Sequence, residues 1–301
     1  MRILITGADG FVGRHAAAAF RKAGHAVIEA QGPNAASQRL DITSPTSTAD
    51  AVRAANPDAV LHLAGASSVA LSHEQPLQAF QVNTLGTVNL LEAVRRHAPR
   101  ARFLHVSSGE VYGALTPSVQ ANEETPRLPT SPYGASKMAA EDAVDQFRRG
   151  YGVQSLVVRP FNHLGAGQAS HFVVPSFAAQ LVAIARGASE PTLHVGNLEP
   201  VRDFLHVEDV VSAYALLLER GSPGVTYNIC SGVPRRIRDV LDELIRLSGV
   251  KVAVEVDPAR LRPAEIPWLV GDATRLKALG WAPTRTLAHA LEDVLREVQG
   301  R

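Results

Sequence analysis

Short apolar runs alternate with amphipathic stretches from the first residue. Arg2–Thr6, Ala26–Glu29, Ala59–Leu63, Arg102–Ser107 and Gln154–Arg159 read as strands. Between them, Phe11–Ala23, Ala49–Ala55, Pro76–His97 and Pro132–Tyr151 carry apolar residues at helical spacing. Such alternation predicts a parallel sheet with helices on both faces. The strands are continuous apolar runs, as expected when both sheet faces are covered. Beyond Pro160 the regularity weakens. Helices at Val174–Arg186, Val207–Glu219 and Arg238–Leu247 interleave with strands at Thr192–Val195, Thr226–Ile229 and Val252–Val256. Pro258–Pro267 holds three prolines and reads as an ordered loop, and two short helices close the chain. The expected fold class is α/β: a doubly wound parallel sheet over residues 1–160, with 203–230 returning to it. A smaller substrate-binding α/β domain is expected over residues 161–301.

At 301 residues the chain can bury a sizeable core. Its 46% hydrophobic and 20% charged residues are those of a soluble globular protein. A net charge of +1 gives no long-range field to recruit nucleic acid or an anionic membrane, so neither is expected as a partner. Any anionic ligand must be held by a few local charges. Cys230 is the only cysteine, so no internal disulfide forms; within Tyr227-Asn228-Ile229-Cys230 it reads as a core thiol. No apolar run approaches the roughly 18 residues of a membrane span. Met1–Ile5 reads as a strand rather than a leader peptide, and a cytoplasmic protein is expected. The eleven His show neither HExxH nor Cys/His ligand spacing, so no metal is expected.

The run Thr6-Gly7-Ala8-Asp9-Gly10-Phe11-Val12-Gly13 joins the first strand to the first helix. Gly7 permits a tight turn, Gly10 lets a pyrophosphate approach the backbone, and Gly13 lets helix and strand pack closely. The helix N-terminus then offers free N–H groups and partial positive charge to phosphates. A glycine triplet alone is a weak signal; in a strand–turn–helix it is a strong one. The second strand ends Glu29-Ala30-Gln31, with a neutral tip where an acid would bind ribose hydroxyls. That removes repulsion against a 2′-phosphate and favours NADP, although no adjacent Arg claims the phosphate and NAD also fits. Asp41, in Leu40-Asp41-Ile42-Thr43, is placed to meet the adenine, and Leu63-Ala64-Gly65 to line the cofactor. Asn83, as a buried amide, needs partners and combines a structural with a cofactor role.

Tyr133 and Lys137 lie four apart in Ser131-Pro132-Tyr133-Gly134-Ala135-Ser136-Lys137, hence on one face of a helix. With five Tyr and four Lys in the chain, that spacing is a rare coincidence. A nearby ammonium favours the phenolate, so a lowered Tyr133 pKa and a proton donor and acceptor usable near neutrality are expected. Ser108 follows a strand end, where ligands bind in such sheets, although a turn-capping serine would look the same.

Gly7–Gly13, Ala64-Gly65, Asn83-Thr84-Leu85-Gly86-Thr87, Ser107-Ser108, Tyr133–Lys137 and Arg159-Pro160 resemble the extended short-chain dehydrogenase/reductase family. Order and spacing match over essentially the whole chain. The resemblance implies a Rossmann domain, a bound NADP(H) or NAD(H), and a nucleotide sugar held by the C-terminal domain. It also implies a homodimer formed through Pro76–His97 and Pro132–Tyr151. Its catalytic set maps onto Ser108, Tyr133 and Lys137. Its cofactor contacts map onto Gly7, Gly10, Phe11, Val12, Gly13, Asp41, Ile42, Leu63, Ala64 and Gly65, with Tyr133 and Lys137.

Within that family, the stretches Arg159–Gln168, Val195–Phe204, Tyr227–Gly232 and Leu261–Pro267 resemble the GDP-sugar branch. The substrate contacts implied are Ser108, Glu110, Asn162, Val173, Arg202, Arg262 and Glu265. Arg202 and Arg262 carry guanidinium forks suited to bidentate phosphate contact, although an Arg more often ends in a surface ion pair. Glu265 resembles a ribose-binding acid, and His163 is expected only to support its loop. The implied reaction is NAD(P)H-dependent reduction of GDP-4-keto-6-deoxy-D-mannose, a GDP-linked 4-keto-6-deoxy sugar, to GDP-D-rhamnose. The rivals are a GDP-mannose 4,6-dehydratase and a nucleotide-sugar 4-epimerase. Glu110 sits where the dehydratases carry an acid and counts among the catalytic candidates. Against that, Gly109 lacks the hydroxyl they place beside it, and Gly32–Leu40, with its single Arg39, lacks their basic loop. A non-catalytic dinucleotide-binding member would often have lost the Tyr or the Lys; this chain keeps both.

Overall fold

The computed structural model describes residues 1–33, 35, 39–261 and 266–300. The chain begins with β1 (Arg2–Thr6), α1 (Phe11–Lys22), β2 (Ala26–Ala30), α2 (Pro45–Ala55) and β3 (Ala59–His62). Then come α3 (Val69–Glu74), α4 (Pro76–Phe80), a π-turn (Gln81–Leu85) and α5 (Gly86–His97). β4 (Arg102–Val106), α6 (Pro132–Tyr151) and β5 (Gln154–Pro160) follow. Beyond β5 run β6 (Asn162–Leu164), α7 (Val173–Ala185), β7 (Thr192–Val195), β8 (Val201–His206), α8 (Val207–Arg220) and β9 (Thr226–Ile229). The last elements are β10 (Pro234–Arg236), α9 (Ile237–Ser248), β11 (Ala253–Val256), β12 (Trp268–Leu269), α10 (Thr274–Lys277) and α11 (Leu287–Gln299).

Six strands pair in the order β2-β1-β3-β4-β5-β9, every pair parallel. This is the helix-covered α/β sheet that the alternation predicts. One face packs on α1 and α8, where Phe20, Val210 and Tyr214 meet Ile3 and Ile5. The other packs on α2, α5 and α6, where Val52, Leu90 and Val144 meet Leu4, Val60 and Phe103. A third core lies within residues 164–298, built on Phe177, Leu181, Leu241 and Leu291. Beside it β10-β8-β12 pair, with β6 on β8, and β11 pairs β7. Leu205 and Leu269 join the core of the large sheet, so the C-terminal part is sewn to the first rather than hinged from it.

Local chemistry explains where elements start and stop. Ser131 caps α6 by accepting from the Gly134 amide at 3.1 Å, Pro132 opens it, and Gly152 closes it in the left-handed region at φ 75°. The helix therefore spans the predicted residues. The same Ser–Pro signal at Ser44-Pro45 starts α2 four residues before Ala49. The single helix predicted over 76–97 is interrupted: a π-turn over 81–85 separates α4 from α5, and α3 forms ahead of them. The proline-rich stretch holds a 3₁₀ turn at Pro258–Arg260, and residues 262–265 lie outside the described residues.

Arg159 anchors α6 to β5. Its guanidinium donates to Glu141 at 2.9 and 2.7 Å and to the Tyr112 hydroxyl at 2.9 Å, and lies 5.0 Å over the Tyr112 ring. Both partners of the ion pair are about 95% buried. Removing one member of such a pair strands a buried charge. Arg159→Leu is expected to cost about 3 kcal/mol of stability, read from denaturant midpoints, because Arg127 at 3.1 Å only partly compensates Glu141.

Candidate active site

The turn after β1 approaches β3 backbone to backbone. Gly7 has φ +70°, and a Cβ there would lie 2.8 Å from the Ala64 nitrogen. A Cβ on Gly13 would lie 2.7 Å from the Ala8 Cα, so α1 sits tight on the turn. No side chain caps α1 at Gly10, and Phe11 and Val12 open the helix. An uncapped helix start, with no Cβ at Gly7, Gly10 or Gly13, fits the pyrophosphate of a dinucleotide.

At the tip of β2, Gln31 forms a bridge with Arg39, and the Leu40 amide donates to the Gln31 carbonyl at 2.8 Å. Glu29 is turned away into an ion pair with Arg21. Sequence reading found no Arg for this tip, because eight residues separate Gln31 from Arg39. Asp41 uses its carboxylate locally, accepting from the Thr43 amide at 2.9 Å and hydroxyl at 2.6 Å. Ile42 is buried against α5, where a Cβ on Gly86 would lie 2.8 Å from it. Leu63 and Ala64 bond Thr6 through its carbonyl and hydroxyl, both at 3.2 Å.

Ser108, Tyr133 and Lys137 converge at the end of β4. The Ser108 hydroxyl accepts from the Glu110 amide at 3.2 Å and bonds the Tyr133 phenol oxygen. The Tyr133 amide donates to the Ser72 hydroxyl of α3 at 3.1 Å, a contact without a sequence signal. Burial pushes Tyr133 up to about 12; the Ser108 bond pulls it down and the Glu110 carboxylate pushes it up. The expected lowering by Lys137 is therefore overturned. The ammonium donates instead to the Val106 carbonyl at 2.9 Å, and desolvation governs the phenol. Burial also brings Lys137 down from 10.5 to about 8, against the opposing pull of Glu141. Asn83 accepts from the Ala66 amide at 2.8 Å and donates to the Ala66 carbonyl at 3.1 Å and the Ser136 hydroxyl at 2.9 Å. It thus ties the β3 loop to α6.

Glu110 acts electrostatically on Tyr133, so both lie in one site. Gly109 beside it is roofed by Phe161: a Cβ would meet three ring carbons at 3.2 Å. Asn162 is exposed on β6. Val173 starts α7 and packs against the third core. Arg202 on β8 lies directly opposite Arg235 on β10, a cross-strand pair that sequence does not reveal. Arg262 and Glu265 lie outside the described residues. His163 stacks on Phe11, ring centres 6.0 Å apart, and its Nδ1 donates to the Phe161 carbonyl at 2.9 Å. Arg14 and His15 donate to the carbonyls of Gly167 and Ala166, at 3.0 and 2.9 Å. The loop after β6 is thereby latched onto the glycine turn.

A family model described as GDP-mannose 4,6 dehydratase matches residues 4–294. The GDP-6-deoxy-D-mannose reductase of Pseudomonas aeruginosa is 38% identical, covering 100% of this chain and 98% of the relative. The GDP-6-deoxy-D-talose 4-dehydrogenase of Aggregatibacter actinomycetemcomitans is 30% identical, covering 92% of this chain and 90% of the relative. The solved structure of RMD from Pseudomonas aeruginosa complexed with NADPH superposes with a TM-score of 0.90. It shares 36% identity and covers 100% of this chain and 99% of that one.

The charge state of Lys137 is directly measurable. It is cationic below about 8 and neutral above, where a surface lysine is still charged. Glu141→Gln removes the carboxylate that holds the value up, so Lys137 should then titrate lower still. NMR of labelled lysine, with the signal assigned through Lys137→Arg, reads both values; a normal lysine titration contradicts the burial argument.

Proposed function

The chain belongs to the extended short-chain dehydrogenase/reductase family, among the GDP-mannose 4,6-dehydratase-like enzymes, and from that premise we propose that it reduces GDP-4-keto-6-deoxy-D-mannose to GDP-D-rhamnose with NAD(P)H. The observation that carries this reading is the meeting of Ser108 with a buried Tyr133 and Lys137 just past the end of β4. A reductase needs an acid at the C4 oxygen, and a buried phenol is one through the whole physiological range. The bound nicotinamide supplies hydride to C4. Ser108 holds the keto oxygen while Tyr133 gives its proton to the nascent alkoxide. Lys137, cationic below about 8, donates to the Val106 carbonyl at the same edge and is placed to hold the nicotinamide ribose. Arg202 takes the sugar diphosphate, with Arg262 and Glu265 as its expected companions, and Asn162 and Val173 border the sugar. Residues 1–160 with 203–230 carry the dinucleotide, and 161–301 the GDP sugar.

The reading extends to a cytoplasmic homodimer. Leu77 and Leu85 are 79% and 56% exposed on the α4–α5 segment, and Tyr151 is exposed at the end of α6. Apolar residues on these helices support a contact between two copies.

One observation favours a second reading. Glu110 lies close enough to act on Tyr133, as a 4,6-dehydratase would need for removing the C5 proton. Phe161 weighs against it, since its ring crowds the place of a residue-109 side chain, 3.2 Å from where the Cβ would stand. The two are separated by supplying each substrate. With GDP-4-keto-6-deoxy-D-mannose and NADPH, stoichiometric loss of reduced cofactor and a GDP-rhamnose product are expected. Product NMR distinguishes rhamnose from talose at C4. If GDP-mannose alone yields the 4-keto sugar with no net cofactor change, the protein is a dehydratase. Tyr133→Phe should lower turnover at least about 10²-fold while NADPH binding persists.

Cofactor choice follows from the β2 tip. The backbone bridge sets Arg39 beside Gln31, and its guanidinium, which donates through Nε to the Ala35 carbonyl, brings to this tip the charge that a 2′-phosphate needs. Arg39→Ala is expected to weaken NADPH binding about tenfold in fluorescence titration and leave NADH unchanged. Equal losses for both cofactors would remove Arg39 from the discrimination.

A further inference from the structure

His62 ends β3, is 1% exposed, and is bonded at both ring nitrogens. Its neighbour His105, across the sheet on β4 with ring centres 5.6 Å away, bonds at neither. The contrast marks a built connection at His62, and its donors and acceptors can be assigned. The Thr87 hydroxyl lies 2.6 Å from the Asn83 carbonyl, which can only accept. Thr87 therefore spends its one proton there and must accept from His62 Nε2 at 3.0 Å. That fixes the imidazole proton on Nε2 and leaves Nδ1 as an acceptor for the Thr6 hydroxyl at 2.8 Å. The Thr6 oxygen then accepts the Ala64 amide at 3.2 Å. One neutral tautomer satisfies all four bonds. A protonated ring would place two donors where Thr6 and Thr87 offer this arrangement and break it.

The two ends of this relay are parts of the dinucleotide site. Thr6 precedes Gly7, whose backbone touches Ala64. Asn83 belongs to the π-turn and holds Ala66 and Ser136, the residue before Lys137. A Cβ on Gly65 would fall 2.9 Å from the Asn83 Oδ1 and 3.3 Å from the Lys137 ammonium. We propose that His62 is a positioning residue for the cofactor: a neutral, single-tautomer imidazole that locks the glycine turn, the Leu63–Ala66 loop and the π-turn into one frame for the dinucleotide and Lys137. The inference rests on the reading that this site takes a nicotinamide dinucleotide. Burial, with Lys137 nearby, holds the His62 pKa at about 3, so the frame keeps one arrangement at every working pH. The charged or titratable groups facing it are His105 and Lys137.

The test joins spectroscopy with binding. In the wild-type protein, 15N NMR of His62 should show the Nε2–H tautomer and no titration from about pH 5 to 9. His62→Leu should raise the NADPH dissociation constant about tenfold, the equivalent of a lost buried hydrogen bond. His62→Gln, which can accept from Thr6 and donate to Thr87, should recover most of the affinity. Val60→Ala, two residues earlier on the same strand face, lowers stability without touching the relay and should leave NADPH affinity unchanged. If His62→Leu does not fold, Thr87→Val breaks one link and replaces it. A His62 proton on Nδ1, titration near 6.5, or equal NADPH loss in Val60→Ala overturns the inference while the functional reading stands. A wild-type protein that binds no NADPH overturns both.

Discussion

The contact between Gly7 and Ala64 is the constraint on which the site depends. Two backbone segments meet where a side chain on residue 7 could not fit, because a Cβ on Gly7 would fall 2.8 Å from the Ala64 nitrogen. Only that approach brings the phosphate-facing start of α1, the β3 loop and the first turns of α6 to one edge of the sheet. The edge is the carboxyl end of the strands, where ligands bind in open parallel sheets. The polar bonds around it, from Thr6 through His62 and Thr87 to Asn83, share one requirement: each buried donor and acceptor left exposed by the close approach must find a partner.

Burial has a second consequence at the same edge. Tyr133 and Lys137 were expected to interact as charge and phenol, yet each is governed first by loss of water. The phenol moves up to about 12 and the ammonium down to about 8, so the neutral form of each gains. For Lys137 that change corresponds to about 3 kcal/mol between its protonation states. Tyr133 therefore enters the reaction with its proton in place. Glu141, itself shared between Arg159 and Arg127, opposes the desolvation and favours the charged form of Lys137. A structural ion-pair network behind α6 thus bears on the chemistry in front of it.

How much of this was legible in the sequence depended on whether the determinant was local. The ends of α6 could be read because Ser131, Pro132 and Gly152 act within a turn of the helix. The glycine turn and the Tyr133/Lys137 spacing were legible for the same reason. The break in the predicted 76–97 helix was not, since the Asn83 side chain in the π-turn takes its partners from Ala66 and Ser136. The link between Gln31 and Arg39, the roof of Phe161 on Gly109 and the register of Arg235 against Arg202 were invisible too. Each joins residues that propensity and periodicity treat separately.

Phe161 shows how such a long-range contact can bear on reaction choice. Reduction at C4 needs one proton, delivered where Ser108 and Tyr133 already meet. Elimination across C5 and C6 needs further proton transfers on the far side of the same sugar. Glu110 is placed for one of them, but the position beside it is crowded. The Phe161 ring lies 3.2 Å from where a residue-109 Cβ would stand, and Phe161 itself is only 3% exposed. A side chain at 109 would press on a buried aromatic ring that also stacks on Tyr112. Tyr112 in turn carries the Arg159 anchor. The crowding beside Glu110 is thus continuous with the packing that holds β5 to α6.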